Sequence, residues 1–238
     1  MRAASKPMPE NTTDEMEQSV TWKGRSYLYG VFSVILDRPV EMSLLKDLFP
    51  PMTAAMKELR VTTEVWQQAD ELNRFFSTST PPEIAHWMEE ASKDYERLFL
   101  IPIPGEMVPL GASVYLPDQE NVDQRRVQWE DWFERFGFAW KEFFSNSPGV
   151  WPNEPEHAAL VLPMLSIIAD EVATSMALGD EFTNGLEVVY RTMIGMTMDW
   201  LPTCLQSVKK SARHPLYRLL ASLCREVLIL DSQFLNEE

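Results

Sequence analysis

The residues from Ser147 to Asp170 read SPGVWPNEPEHAALVLPMLSIIAD, a polar segment rich in proline followed by a long apolar run. Asn153 is a good helix N-cap, because its side-chain oxygen can accept a hydrogen bond from an orphan amide. Pro155 is tolerated in a first turn, where its missing N–H has no partner, and Glu154 and Glu156 complement the positive end of the helix dipole. The pattern predicts a central helix that begins at Asn153.

The turn from Glu154 to His157 carries more polar chemistry than helix capping requires. It combines two carboxylates, a rigid proline ring and a titratable imidazole in what we expect to be an exposed turn. Two interpretations are open. The turn is either an acidic helix start with a surface histidine, or a polar site at which the protein binds a partner.

The composition predicts an almost entirely helical protein. The chain has 238 residues, enough to bury a sizeable core in one large domain or two small ones. It has only 9 glycines, so its backbone rarely needs a positive φ, and helix-forming residues dominate. We expect residues 1–12 to form a flexible tail and residues 13–238 to form one helical domain.

The charge and the cysteine content indicate which kind of partner the protein binds and in which cellular compartment it acts. The formal net charge of −15 repels nucleic acid and suits a basic partner. The 2 cysteines lie within apolar helical patterns, which indicates buried thiols in a reducing compartment. The first dozen residues lack the apolar run of a signal peptide, and no run of roughly eighteen apolar residues occurs. We therefore expect a soluble, cytoplasmic protein.

Apolar residues recur at helical spacing along most of the chain. The predicted helices cover residues 14–36, 41–49, 52–59, a span capped by Thr62 or Thr63, 81–99, 118–144 with an interruption at Gly137, 153–178, 182–210 and 215–230. Pro202 is expected to kink or end the helix that contains it. Between residues 101 and 117 the chain is apolar and rich in proline, so we expect a loop that packs on the rest of the protein.

Motifs for catalysis or cofactor binding are missing from the sequence. There is no phosphate-binding glycine loop, no dinucleotide fingerprint, no zinc-protease motif and no cysteine pair at metal-ligand spacing. The histidines His86, His157 and His214 are far apart in sequence, and surface or interface positions explain them better than metal coordination. We expect no catalytic residues, no metal ion and no cofactor.

Several short segments occur in an order and at a spacing that are informative together. They are Arg25, Tyr27 and Phe32 in the first helix, Asp94 to Phe99, the loop that closes on Ser113, Val114 and Tyr115, the turn Glu154 to His157, and His214 to Tyr217. With these segments the chain resembles the TorD/DmsD/NarJ family of cytoplasmic chaperones for molybdenum enzymes.

The resemblance implies an all-α fold, a single globular domain of about ten helices, without catalytic activity. Members of this family hold the apo catalytic subunit of an oxidoreductase that carries a molybdopterin cofactor, often through a twin-arginine leader peptide, and delay export until the cofactor is inserted. Some relatives form domain-swapped dimers, and the long loops here would permit such an exchange, so a homodimer is a possible assembly.

The resemblance also places the peptide-binding site. In the family the acidic turn is implicated in binding, and here it comprises Glu154, Pro155, Glu156 and His157, with the Ser113-Val114-Tyr115 loop in the same region. We expect the two carboxylates to attract the arginines of the leader, since carboxylates bind guanidinium groups in bidentate fashion. Tyr95, Phe99 and the loop that ends at Tyr115 are expected to receive the apolar part of the leader.

Two positions depart from the pattern of the family. Glu156 stands where many relatives have aspartate, which keeps the charge but lengthens the side chain. The residues Leu110-Gly111-Ala112 stand where relatives often have an aromatic residue, so a bulky contact is missing from the proposed groove.

Two alternatives to the chaperone interpretation are open. The protein is a helical enzyme or small-molecule-binding protein if Trp129, Trp132 and Met196 line a closed apolar cavity. It is a scaffold or regulator if its acidic face binds basic segments without preference for a leader sequence.

Overall fold

The computed structural model describes residues 11–39, 41, 45, 51–53, 55–56, 61–101, 104–117, 119–142 and 154–236. These residues form helices and no strand, which confirms the predicted all-α class. The helices are α1 (Asn11–Asp37), α2 (Thr63–Thr78), α3 (Pro81–Tyr95), α4 (Gln119–Arg135), α5 (Ala158–Leu178), α6 (Thr183–Met198), α7 (Leu201–Ser211) and α8 (Pro215–Asn236).

The helices predicted for residues 41–49 and 52–59 lie mostly outside the described residues, as does the predicted N-cap Asn153. Most of the expected flexible tail, residues 1–12, lies outside them too, and helix α1 already includes Asn11. Helix α4 ends at Arg135, and Gly137 follows it with a φ of 68° that favours glycine. Residues 140–142 are helical again, so the interruption expected at Gly137 is present.

Helices α1 and α5 pack against each other along their length and form the centre of the fold. Small residues allow the close approach. The Ser166 hydroxyl donates to the carbonyl of Ser26 at 2.7 Å, and a Cβ at Gly30 would lie 3.2 Å from Ser166 Oγ. Further along, the Ser19 hydroxyl donates to the carbonyl of Ala173 at 3.0 Å. The long apolar run is therefore the central helix, as its composition predicts.

By length and composition, helix α5 could cross a membrane, and no other helix of the described residues meets both conditions. Its most apolar window is 61% buried inside the protein, mainly against α1. The core helix of a soluble protein has the same properties, so this helix is weak evidence for a membrane span.

A buried carboxylate joins three helices near the end of the chain. Arg25 of α1 donates through Nε to Asp231 Oδ1 at 2.6 Å, and the hydroxyls of Tyr29 and Tyr190 each donate to Asp231 Oδ2 at 2.7 Å. A buried carboxylate is costly unless it is paired and hydrogen-bonded, so these side chains depend on one another. The group links α1, α6 and α8.

The breaks between the last helices follow from single residues. Gly179 ends α5 with a φ of 65°, and the N–H of Asp180 donates to the carbonyl of Ser175 at 3.0 Å. Between α6 and α7 the chain turns at Trp200, and Pro202 lies in the first turn of α7, where its missing N–H costs nothing. The predicted interruption near Pro202 is confirmed.

Two of the segments that carry the family resemblance contact each other. The carboxylate of Asp94 accepts from the backbone N–H groups of Arg213 and His214, at 2.9 and 2.7 Å, directly before the start of α8. Arg97 donates through Nε to the same carboxylate at 3.0 Å. Asp94 thereby fixes the end of α3 against the start of the last helix.

Candidate peptide-binding site

The turn from Glu154 to His157 is not the first turn of a helix. It bends at Pro155 and Glu156 and pairs with the loop at Gly111. The N–H of Ala112 donates to the carbonyl of Glu156 at 2.9 Å, and the N–H of Ala158 donates to the carbonyl of Leu110 at 2.8 Å. The prediction of a helix that begins at Asn153 is therefore wrong. The backbone groups of the turn bond to a loop that is distant in sequence instead of starting the helix.

His157 is the N-cap of α5. Its Nδ1 atom accepts a hydrogen bond from the N–H of Ala159 at 3.3 Å, so the ring must be neutral at this nitrogen. The side chain is fully buried, and burial lowers its pKa to about 3. The expectation of a surface histidine in an exposed turn is wrong, because the ring caps the helix inside the protein.

Glu156 is buried in an ion pair with Arg125. Arg125 Nε donates to Glu156 Oε2 at 2.9 Å, and Nη2 donates to Oε1, so the pair is bidentate. The indole N–H of Trp200 donates to Oε1 at 3.0 Å. The carboxylate of Glu156 is therefore already occupied, and the structure does not present it to the arginines of another chain.

Arg125 belongs to the candidate site, and the sequence analysis missed it. It also donates through Nη1 to Asp199 at 2.5 Å and through Nη2 to the carbonyl of Met196, so it joins α4 to the acidic turn and to the end of α6. Its position four residues before Trp129 was a usable signal, because an arginine on the buried face of a helix requires an acidic partner.

Glu154 lies over Gly111 at the edge of the same turn. A Cβ at Gly111 would overlap Glu154 Oε1, so only glycine admits the carboxylate in this position. Burial raises the pKa of Glu154, although hydrogen bonds from Ser113 oppose that shift. Within the described part of the chain, Glu154 Oε1 is buried and has no hydrogen-bond partner. This oxygen is packed against Gly111, and the Glu154 side chain as a whole is partly exposed.

The loop beside Glu154 is held from both ends. The N–H of Val108 donates to the carbonyl of Leu98 at 2.8 Å, and the hydroxyl of Tyr115 donates to the carbonyl of Pro109 at 2.9 Å. The ring of Tyr115 stacks on Trp200, with centroids 6.3 Å apart. The loop thus packs on the body of the protein, as the sequence predicted.

The loop presents two exposed side chains next to Glu154. Ser113 and Val114 lie on the short 3-10 turn Ala112–Val114, and the side chain of Val114 is 56% exposed. We refer to Glu154, Ser113 and Val114 as the acidic corner. It combines a carboxylate with an apolar contact on one surface.

Tyr95 and Phe99 are not part of this surface. Tyr95 is fully buried, and its hydroxyl donates to the carbonyl of Leu36 at 3.1 Å. Phe99 is 1% exposed and packs edge to face on Tyr95, with centroids 5.2 Å apart. The structure does not bring these two rings to the acidic corner, because both lie in the core near α1 and α8.

The aromatic residues of α4 pack on one another. Trp129 is fully buried, and its ring centroid lies 5.0 Å from that of Trp132 and 5.8 Å from that of Phe133.

A void beside Phe32 and Tyr217 has a volume of about 10 Å³, room for about one water molecule. In the described part of the chain, no group of three or more acidic, histidine or cysteine residues could hold a metal ion.

Comparison with known proteins identifies a family. The family model described as nitrate reductase delta subunit matches residues 58–206, which is more than half of the chain. The match includes α2 to α6, the acidic corner and Arg125. No curated protein and no solved structure matches the chain.

Proposed function

Because the chain belongs to the nitrate reductase delta subunit family, the NarJ/TorD-type maturation chaperones of molybdenum enzymes, we propose that it binds a twin-arginine leader. The leader belongs to the apo catalytic subunit of a molybdopterin-dependent oxidoreductase. Binding would assist insertion of the cofactor and delay export. In this role the protein has no catalytic activity of its own, needs no cofactor and acts in the cytoplasm.

The observation that carries the proposal is the partly exposed carboxylate of Glu154 beside the exposed Val114. A leader offers a guanidinium group followed by an apolar segment, and the acidic corner offers a carboxylate next to an apolar side chain. A charge-assisted hydrogen bond to a guanidinium is stronger than a neutral one. Glu154 is therefore the proposed contact to an arginine of the leader.

Glu156 and His157 take a different role in this proposal. Glu156 is occupied by Arg125, and His157 caps α5, so both hold the turn in place instead of contacting the leader. Pro155 is also buried and restricts the backbone between the two glutamates. The proposed binding residues are Glu154, Ser113 and Val114, with Tyr115 supporting the loop from beneath.

Calorimetric titration of the full chain with a twin-arginine leader peptide tests the proposal. We expect binding at roughly tens of micromolar or tighter, weakening with salt, and at least about tenfold weaker binding to the Glu154→Gln variant because one charge-assisted hydrogen bond is lost. Affinity should also fall at acidic pH as Glu154, whose pKa is raised, becomes protonated.

The matched control is Glu134→Gln, which removes one negative charge from an exposed position on α4. It should leave the affinity nearly unchanged. Equal affinities of the wild type and both variants, or no heat with the leader peptide, would refute leader binding at the acidic corner. A peptide with the two arginines replaced by alanine should bind more weakly than the leader itself.

A further inference from the structure

The most exposed side of helix α6 carries no charged residue between its two ends. From the N-cap Phe182 to Met198, the exposed residues lie on one side of the helix and are Phe182, Asn184, Gly185, Val188, Thr192 and Gly195. Phe182 and Val188 are 76% and 61% exposed, and the hydroxyl of Thr192 donates to the carbonyl of Val188 at 2.8 Å. We refer to these residues as the α6 face. It is uncharged in a chain with a net charge of −15.

Two glycines of the α6 face have no role in packing among the described residues. A Cβ at Gly185 or at Gly195 would meet no neighbouring atom within 4 Å. Glycine inside a helix is less favourable than alanine, because it loses more conformational freedom on folding. The two glycines are about 15 Å apart along the helix axis, and each leaves a notch in the surface. Small residues of this kind allow a second helix to approach closely.

The start of the α6 face is acidic. Asp180 and Glu181 are exposed in the turn before α6 and form no ion pair with a described residue. The sequence from residue 142 to residue 190 contains no lysine or arginine. Lys23 of α1, which contacts α5 in the same region, is bound to Asp170 at 2.6 Å. The acidic turn is therefore not neutralised by these neighbours.

The other charged groups near the α6 face are paired or offset one another. Glu187 and Arg191 are partly exposed on the flank of α6 and have opposite charges. Asp199 at the far end is 57% exposed and accepts from Arg125 at 2.5 Å. Arg125 also binds Glu156, so the α6 face continues the surface of the candidate site.

We propose that the α6 face binds an amphipathic helix of a partner polypeptide, with an apolar stripe and a basic end. Its apolar side chains would enter the notches at Gly185 and Gly195, and its cations would pair with Asp180 and Glu181. A second copy of this chain is a poorer partner. Parallel pairing of two α6 faces opposes the two acidic turns, and antiparallel pairing opposes the acidic turn and Asp199. The proposal does not depend on leader binding at the acidic corner.

Fluorescence anisotropy of a labelled synthetic peptide with the full chain tests this proposal. The peptide is an amphipathic helix of roughly eighteen residues, with leucines on one side, glutamines on the other and lysines at one end. We expect it to bind, and a version with glutamates in place of the lysines to bind at least about tenfold more weakly.

Gly185→Met/Gly195→Met should also weaken binding of the lysine peptide at least about tenfold, because it fills both notches. The melting temperature of this variant should equal or exceed that of the wild type, since methionine favours a helix and its side chain enters open space. The loss of binding is thereby separated from a failure to fold. The variant should bind a twin-arginine leader as the wild type does.

Val188→Glu places a charge on the apolar part of the α6 face and should weaken binding of the lysine peptide as well. Its control is Val127→Glu, which makes the same exchange at a 66% exposed position of α4 and should retain the affinity. No binding of the lysine peptide, an equal loss in Val127→Glu, or weaker leader binding by the glycine variant would overturn the proposal. So would a homodimer that Val188→Glu dissociates, or binding of lipid vesicles in place of the peptide.

Discussion

Two glutamates separated by one proline have opposite environments in this protein. Glu156 is buried and bound by Arg125, whereas Glu154 keeps an acceptor without a partner in the described part of the chain. The sequence around the turn predicts both as equivalent carboxylates, because the arginine that distinguishes them lies on another helix. The local sequence pattern therefore predicted an acidic turn, and only the fold shows which of the two carboxylates is paired with Arg125.

The buried N-cap His157 makes stability depend on pH. The native pKa is about 3, below the ordinary value of about 6.5, so the unfolded state binds a proton first as the pH falls. The neutral ring contributes fully to the free energy of unfolding above about pH 6.5. This contribution falls by up to about 1.4 kcal/mol per pH unit as the pH decreases toward the native pKa. His157→Asn keeps a capping acceptor and removes the titration.

Urea unfolding at pH 7.5 and at pH 5.5 measures this effect. We expect the wild type to lose about 1 kcal/mol more than His157→Asn between these conditions, although the variant is less stable overall because it leaves a cavity. Other titratable groups, including His214, contribute equally to the pH-dependent change in the free energy of unfolding of both proteins, so their contributions cancel in the comparison. Parallel losses in the two proteins would show that His157 is protonated in the native state.

Gly111 tests the position of Glu154 without removing its charge. The backbone at Gly111 has a φ of −98°, which alanine adopts freely, but a Cβ would displace the flexible end of Glu154. We expect Gly111→Ala to change the free energy of unfolding by less than about 1 kcal/mol and to weaken leader binding as Glu154→Gln does. Thermal melting and calorimetry check the two effects; intact leader affinity would contradict the assigned position of Glu154.

At the scale of the helices, the sequence predicted most spans but misplaced the start of α5. The apolar spacing of α1, α3, α6 and α8 is clear, and caps and prolines mark several of their ends. The start of α5 was placed too early, because capping residues near Pro155 resemble a helix start. These local signals do not reveal that Glu156 and Ala158 pair with the loop at Gly111, because that contact joins distant parts of the chain.

Arg125 holds three elements together, and its loss should be costly. Arg125→Met leaves Glu156 buried without its cation, so we expect a loss of about 3–5 kcal/mol in the free energy of unfolding. The double variant Arg125→Met/Glu156→Leu should lose clearly less than the sum of the single variants, since it removes both charges. Denaturant unfolding of all three proteins completes the cycle.

The adjacent Arg126 provides the control for this cycle. Its side chain is 52% exposed and pairs with Glu130 one turn away, so Arg126→Met should change stability by less than about 0.5 kcal/mol. Similar losses at positions 125 and 126 would mean that the buried ion pair does not hold the turn.

For the whole molecule, composition predicted the class and the charge but not the distribution of charge. Nine glycines and many helix-forming residues indicated an all-α protein, and the buried group around Asp231 shows how the first and last helices close it. The net charge of −15 did not reveal that Arg125 pairs with one glutamate of the acidic turn and not with the other, because a sum over the chain carries no positions.

The predicted single domain and the possible homodimer stay predictions at this scale. Limited proteolysis should release the tail before it cuts residues 13–238, if these fold as one unit. Light scattering over a range of concentrations measures the oligomeric state.

Photo-cross-linking tests the central claim, that a leader docks at the acidic corner, most directly. A photoreactive benzoylphenylalanine replaces Val114, which is 56% exposed beside Glu154, or in a matched control Val188, which is 61% exposed on α6. We predict that the leader of an apo molybdoenzyme subunit cross-links to the protein with the probe at position 114 and not to the protein with the probe at position 188. Equal yields at both positions, or a cross-link at position 188 alone, would contradict the account.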